Sequence, residues 1–233
     1  AAIVEAVRLI ATGVAQALVT APICKANLVS AGAPMSGHTE LLANLAGGCA
    51  VRMMMVGAQL RVSLVTTHLA LAQVPAALSC QRVFETITVT QVALQTHFGL
   101  ARPRIAVAGL NPHAGEAGLF GDEEKRIIAP AVRRAARRGI DVHGPVAADS
   151  VFPRAVAGAF DAVVCMYHDQ VLAPFKLLHF ADGVNFTAGL PFVRTSPDHG
   201  TAHDIAGRGI ADPRSMAAAL TVAGEGRRVR HAA

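Results

Sequence analysis

Ile105-Ala106-Val107-Ala108-Gly109-Leu110-Asn111-Pro112-His113 is the stretch that decides the fold. A short, wholly apolar run passes into polar, reactive residue types, the pattern of a strand buried on both faces whose C-terminal end opens into a loop. The same pattern recurs where residues 62–65 lead into Thr66-Thr67-His68 and where residues 162–166 lead into Tyr167-His168-Asp169. Further runs at 17–20, 53–56 and 184–187 read as strands, and helix-period segments at 3–11, 83–98, 122–138 and 216–222 alternate with them. This alternation predicts an α/β fold with a largely parallel sheet, some pairs being free to run antiparallel. Pro130 is expected to kink the helix over 122–138. No internal repeat or low-complexity linker divides the chain, and the basic, unpatterned residues 224–233 are expected to form a flexible tail.

Composition narrows the partners. With 233 residues, 52% hydrophobic and 16% charged, the chain buries a substantial core, which excludes a disordered protein. Every apolar run is broken by Pro, His, Gln or a charge before it reaches the roughly 20 residues of a membrane span. Glu5 and Arg8 interrupt the opening segment, so no secretory signal is read there and a cytoplasmic protein is expected. Cys24, Cys49, Cys80 and Cys165 lie far apart without a C-x-x-C pair, arguing for reduced thiols rather than disulfides or a cysteine-ligated metal. The net charge of +5 has its densest run at Arg133, Arg134, Arg137 and Arg138. That run closes a helix opened by Asp122, Glu123 and Glu124, so the charges complement the helix dipole. With one Tyr and no Trp, stacking platforms for single strands are scarce, and no nucleic-acid partner is expected.

His68, His113 and His168 each follow a buried strand, where open α/β sheets gather their binding loops. Three neutral imidazoles with an open position make a catalytic site for zinc or a similar divalent ion. Taken singly, each histidine could equally cap its strand or bond a backbone group. Gly37-His38-Thr39-Glu40 has the form of a phosphate-binding turn, or of an ordinary helix cap served by Thr39. Lys176, Asn185 and Arg194 provide a point cation, an amide and a planar guanidinium, a trio suited to a phosphorylated carboxylic acid. A solvated Lys and Arg is the alternative for two of them, but Asn185 sits inside an apolar run.

Five segments in order, Gly37–Glu40, Thr66–Leu69, Gly109–Glu116, Met166–Gln170 and Gly189–Thr195, resemble the 4-hydroxythreonine-4-phosphate dehydrogenase family, and the match runs to about residue 220. The resemblance implies that His68, His113 and His168 bind a divalent metal (Zn, Mg, Mn or Co) and that His38, Thr39, Lys176, Asn185 and Arg194 bind substrate. It implies a homodimer whose active sites are completed by the partner subunit. Asp198–Gly207 is similar to the cofactor loop of the isocitrate and isopropylmalate dehydrogenase superfamily, placing His199, Gly200, Thr201, Ala202, Asp204 and, beyond the loop, Asp212 at the cofactor. An acid at Asp204 accepts bonds from a ribose hydroxyl and repels a 2′-phosphate, so NAD is expected over NADP.

The implied architecture is isocitrate/isopropylmalate dehydrogenase-like, with two α/β lobes. Residues 1–100 would hold substrate and metal residues with dimer contacts, and residues 101–223 metal residues and the NAD loop. Members of the family carry a further glycine-rich N-terminal motif without counterpart here, so the chain is expected to be N-terminally truncated. Ala117 replaces a usual glycine, and His203 a usually apolar or proline position. The implied reaction is oxidation and decarboxylation of 4-phosphohydroxy-L-threonine to 3-amino-2-oxopropyl phosphate, for pyridoxal phosphate synthesis. Asp149 and Asp169 are candidate acceptors of the alcohol proton, or else partners orienting a ligand histidine. Three alternatives stand beside it: a D-threonate or D-erythronate 4-phosphate dehydrogenase, a metal-dependent hydrolase or aldolase with no use for the cofactor loop, and a truncated remnant that binds ligand without turnover.

Overall fold

The structure, a computed structural model, describes residues 2–24, 27, 30, 32 and 37–232, with residues 227–232 as backbone only. Among the described residues eight strands form one sheet: β1 (Ala17–Val19), β2 (Arg52–Val56), β3 (Arg61–Leu64), β4 (Ile105–Ala108), β5 (Val142–Val146), β6 (Ala162–Cys165), β7 (Val184–Ala188) and β8 (Val193–Pro197), in the order β1-β8-β7-β2-β3-β6-β4-β5. The ladders β3–β6, β6–β4, β4–β5 and β1–β8 are parallel, and β2–β3, β2–β7 and β7–β8 antiparallel. The α/β class with a mainly parallel sheet thus holds. The sheet runs across the boundary expected near residue 100, since β7 and β8 pair with β2 and β1.

Strand periodicity builds two cores. Successive residues of a strand point to opposite faces, and β4 sends Ile105 and Val107 into one core and Ala106 and Ala108 into the other. The first core packs against Val83, Ile87 and Leu94 of α3 (Cys80–Phe98) and Ala131, Val132 and Ala135 of α4 (Ala129–Ala136). The second receives Val151, Phe152 and Ala155 of α5 (Ala148–Val156) and Val171, Leu172 and Phe175 of α6 (His168–His179). A smaller cluster joins α1 (Ala2–Ala11) and α2 (His38–Leu45) to Leu190 and Phe192. α3 begins at Ser79, whose side chain accepts from Arg82 N, and stops at Gly99 in the left-handed region.

Some elements depart from the pattern. The helix expected over 122–138 opens with a π turn, Glu124–Ile128, before α4. Pro130 follows directly on that π turn, where Ile128 and Ala129 keep right-handed helical backbone. α7 (Arg214–Ala232) continues through residues expected as flexible tail; buried Gly226 lets it approach the His97 carbonyl oxygen. The final residue of that tail lies outside the described residues. β8 went unrecognised as a strand because its Arg194, Thr195 and Ser196 are polar, yet every residue of it is buried. Among the described residues, no helix is long and apolar enough to cross a membrane.

The turn joining β7 to β8 depends on Gly189, which has φ +97 and whose missing Cβ would run into the Ala50 carbonyl oxygen. Gly189→Ala is expected to lower the unfolding free energy by about 1–3 kcal/mol, measured by urea denaturation; an unchanged midpoint would contradict the assigned turn.

Candidate active site

The three histidine-bearing strands β3, β6 and β4 lie side by side and parallel, so their C-terminal ends share one edge of the sheet. The loops leaving that edge are tied together. Thr66 donates from its hydroxyl to the Met166 carbonyl oxygen at 2.7 Å. The buried Gln170 amide accepts from Met166 N at 2.7 Å and donates to the Gly109 carbonyl oxygen at 2.7 Å. His168 is the first residue of α6, and its ring centroid lies 5.5 Å from that of His68. Asp169 lies 2.7 Å from Nδ1 of His168. A carboxylate there favours the Nδ1–H tautomer and leaves Nε2 as the lone-pair nitrogen, the arrangement of an oriented metal ligand.

His113 follows β4 but lies in the turn Pro112–Gly118, exposed, with its ring 6.1 Å from that of Phe120. Among the described residues, no three His, Cys, Asp or Glu side chains form a group able to hold a metal. The structure therefore brings two of the three expected ligands together. As chemistry, the His68–His168 pair with Asp169 behind it fits part of a divalent-cation site, completed only by further donors. Of the two candidate acids, Asp169 is exposed beside His168, and Asp149 is exposed in the first turn of α5.

The residues expected to bind an anion are placed as follows. α2 starts at Gly37 with no side-chain cap, so Thr39 lies within the helix and does not serve as its cap. Arg194 is only 3% exposed, which removes the solvated-surface alternative. It donates to Thr187 Oγ1 at 3.0 Å and Thr20 Oγ1 at 2.7 Å, while its Nε has no partner. Burial pulls its pKa down to about 10. No carboxylate pairs with it among the described residues, leaving a buried cation that an anionic ligand would compensate. Burial, and secondarily the charge of Arg194, holds His38 below the usual histidine pKa.

Lys176 is half-buried, its Nζ 2.7 Å from Asp198 Oδ2 and donating also to the Asp198 carbonyl oxygen. Burial holds the Asp198 carboxyl above its ordinary pKa, against the opposing pull of Lys176. Asn185 stands in β7 opposite Met55 and Ser196, half-buried.

The loop beyond β8 is open. Gly200 has free space on its Cβ side, Ala202 has φ 49, His199 Nδ1 lies 2.8 Å from the Gly200 carbonyl oxygen, and Thr201 and Asp204 are exposed. Asp212 is already engaged by Arg214, accepting from its backbone N and guanidinium, which holds the carboxyl at about 2. An apolar cavity of about 460 Å³ lined by Val7, Ile10, Leu45, Pro191 and Phe192 lacks any titratable side chain and does not suit an anion.

Thr20 and Thr187 were not singled out from sequence, and Gln170 and Asp198 entered only as end residues of the Met166–Gln170 and Asp198–Gly207 segments. The one signal of Thr20 and Thr187 is a polar type within or just after an apolar run.

A family model described as pyridoxal phosphate biosynthetic protein PdxA matches residues 1–223. A Geobacter metallireducens protein named 4-hydroxythreonine-4-phosphate dehydrogenase is 58% identical over 98% of this chain and 67% of its own length. A Paracoccus denitrificans protein of the same name is 52% identical over 96% of this chain and 71% of its own. A crystal structure of the Klebsiella pneumoniae 4-hydroxythreonine-4-phosphate dehydrogenase superposes with a TM-score of 0.90 at 48% identity, covering 97% of this chain and 69% of that one. A Burkholderia xenovorans terephthalate 1,2-cis-dihydrodiol dehydrogenase superposes with a TM-score of 0.75 at 31% identity, covering 96% and 71%. The chain spans about two thirds of the length of the relatives it matches.

Because burial holds the folded pKa of His38 below the ordinary histidine value of about 6.5, the unfolded chain binds the extra proton first as pH falls. His38 therefore subtracts stability below pH 6.5, progressively down to its folded pKa, and has no effect well above it. Denaturation of His38→Gln across this range should give a flatter dependence of stability on pH than the parent; identical slopes would contradict the assignment.

Proposed function

This chain belongs to the PdxA family of pyridoxal phosphate biosynthetic proteins, and on that premise we propose that it oxidises 4-phosphohydroxy-L-threonine with NAD⁺ and a divalent metal, yielding 3-amino-2-oxopropyl phosphate and CO₂. The observation that carries the reading is the His68–His168 pair at the shared edge of β3 and β6, backed by Asp169. The buried Arg194 without a carboxylate partner supports a phosphorylated substrate.

Each group has a task. His38, neutral near pH 7, and the N–H groups at the uncapped start of α2 accept the phosphate with Arg194, and Thr39 lies in the same first turn. Lys176 and Asn185 take the carboxylate end. A divalent cation on the imidazoles, of the Zn, Co, Mn or Mg kind, would polarise the alcohol oxygen, and NAD⁺ in the loop 199–204 would take the hydride. Asp169 orients His168, which leaves Asp149 as the acceptor of the alcohol proton. Oxidation gives a β-keto acid; the electrons of the breaking C–C bond flow toward the new carbonyl and CO₂ leaves.

The test is NADH formation by purified protein with NAD⁺, each divalent metal in turn, and either 4-phosphohydroxy-L-threonine, a D-four-carbon phosphorylated acid or a non-phosphorylated cis-diol. Metal-dependent turnover confined to the first substrate and abolished in His168→Ala is expected. Silence from folded, metal-loaded protein would sink the assignment.

A homodimer with shared sites follows from the same reading. One chain supplies two close imidazoles, and α6, which carries His168 and Lys176, leaves Leu177 86% exposed and its C-terminal cap, Phe180, 80% exposed. An apolar stripe of this kind beside a site suits a partner surface. Light scattering should give twice the chain mass, and Phe180→Asp should yield a folded monomer without turnover; an active monomer would refute the shared site.

A further inference from the structure

The turn that carries His113 winds against the preference of L-residues. His113, Ala114, Gly115, Glu116 and Ala117 have φ of 53, 53, 81, 39 and 57, and only one of them is glycine. Consecutive left-handed residues persist only where the surroundings hold them.

Glu124 is placed to do the holding. It is 5% exposed and belongs to the π turn Glu124–Ile128. Its Oε1 accepts from Leu110 N and Asn111 N, each at 2.7 Å, and its Oε2 from Asn111 Nδ2 at 3.0 Å. The turn closes round this carboxylate: a Cβ on Gly115 would stand 2.7 Å from Oε2, and one on Gly109 3.1 Å from Oε1. From the other side Gln170 grips the Gly109 carbonyl oxygen and Met166 N, which joins the His113 turn to the segment bearing His168. A buried carboxylate bonded to backbone N–H groups, with no cation paired to it among the described residues, fixes the direction in which the loop leaves β4.

We propose that Glu124 is a positioning residue for the metal site: its carboxylate holds the left-handed turn that presents His113. The proposal rests on the metal reading above. Glu124→Gln keeps the volume and can still accept from both backbone N–H groups, but it turns an NH₂ toward the NH₂ of Asn111. Gly115→Ala displaces the same carboxylate from the opposite direction.

The experiment is Co²⁺ titration followed by visible absorption, with inorganic phosphate binding and amide hydrogen exchange measured on the same samples. In both variants Co²⁺ affinity should fall about 10–100-fold. Phosphate binding should stay unchanged, and exchange should quicken only over residues 109–121. Parental Co²⁺ affinity in folded Glu124→Gln overturns the proposal, as does failure of both variants to fold, which would make the carboxylate part of the scaffold alone. If the parent binds no Co²⁺, the metal reading falls. The metal role of Glu124 falls with it, and exchange then decides only whether Glu124 holds the turn: quickening confined to 109–121 sustains that part, and a change spread over the chain overturns it as well.

Discussion

The parallel ladder β3–β6–β4 is the constraint on which the rest of the molecule depends. Val163 is level with Val62 on one side and Ala106 on the other, so the three strands end together. That common edge brings loops of distant sequence into hydrogen-bonding range, and Thr66, Gln170 and the carbonyl oxygens of Met166 and Gly109 fasten them. A slip of one residue in any of these ladders would turn its alternate side chains into the wrong core and unlevel the loops. The same register that fills both cores thus sets the spacing of His68 and His168.

Charge is distributed with the opposite logic. A stable core has little use for a guanidinium that lacks a carboxylate partner, and Arg194 is buried with hydroxyl partners alone among the described residues. Its desolvation is a standing cost, consistent with its pKa of about 10. Lys176, by contrast, is neutralised by Asp198. Among the described residues one cation has no carboxylate partner and the other is held by one, so the two differ in electrostatic environment although both came from the same trio of residue types.

The loop after β4 adds a third feature, local strain. Left-handed backbone from His113 to Ala117 is held by contacts with Glu124 and by close approaches at Gly109 and Gly115. Ala117 takes up the left-handed conformation at φ 57.

Much of this was legible in the residues. Apolar runs of four to six residues located β2, β3, β4, β6 and β7 to within two positions, because burial on both faces leaves a purely local mark. The rule that polar residues gather at the ends of such strands picked out His68, His113 and His168, of which the structure brings His68 and His168 together. β8 escaped because its burial comes from β1, β7 and α7, and polar side chains such as Thr195 find their partners there, on Ala219 in α7. Nor could periodicity tell that Arg194 would be buried, since its partner Thr20 is 174 positions away. Local pattern determined which segments are strands and which residue types stand at their ends. Which of those residues meet, and which charges stay unpaired, was decided only when the sheet brought distant segments together, because pairing and desolvation depend on neighbours that no window of sequence contains.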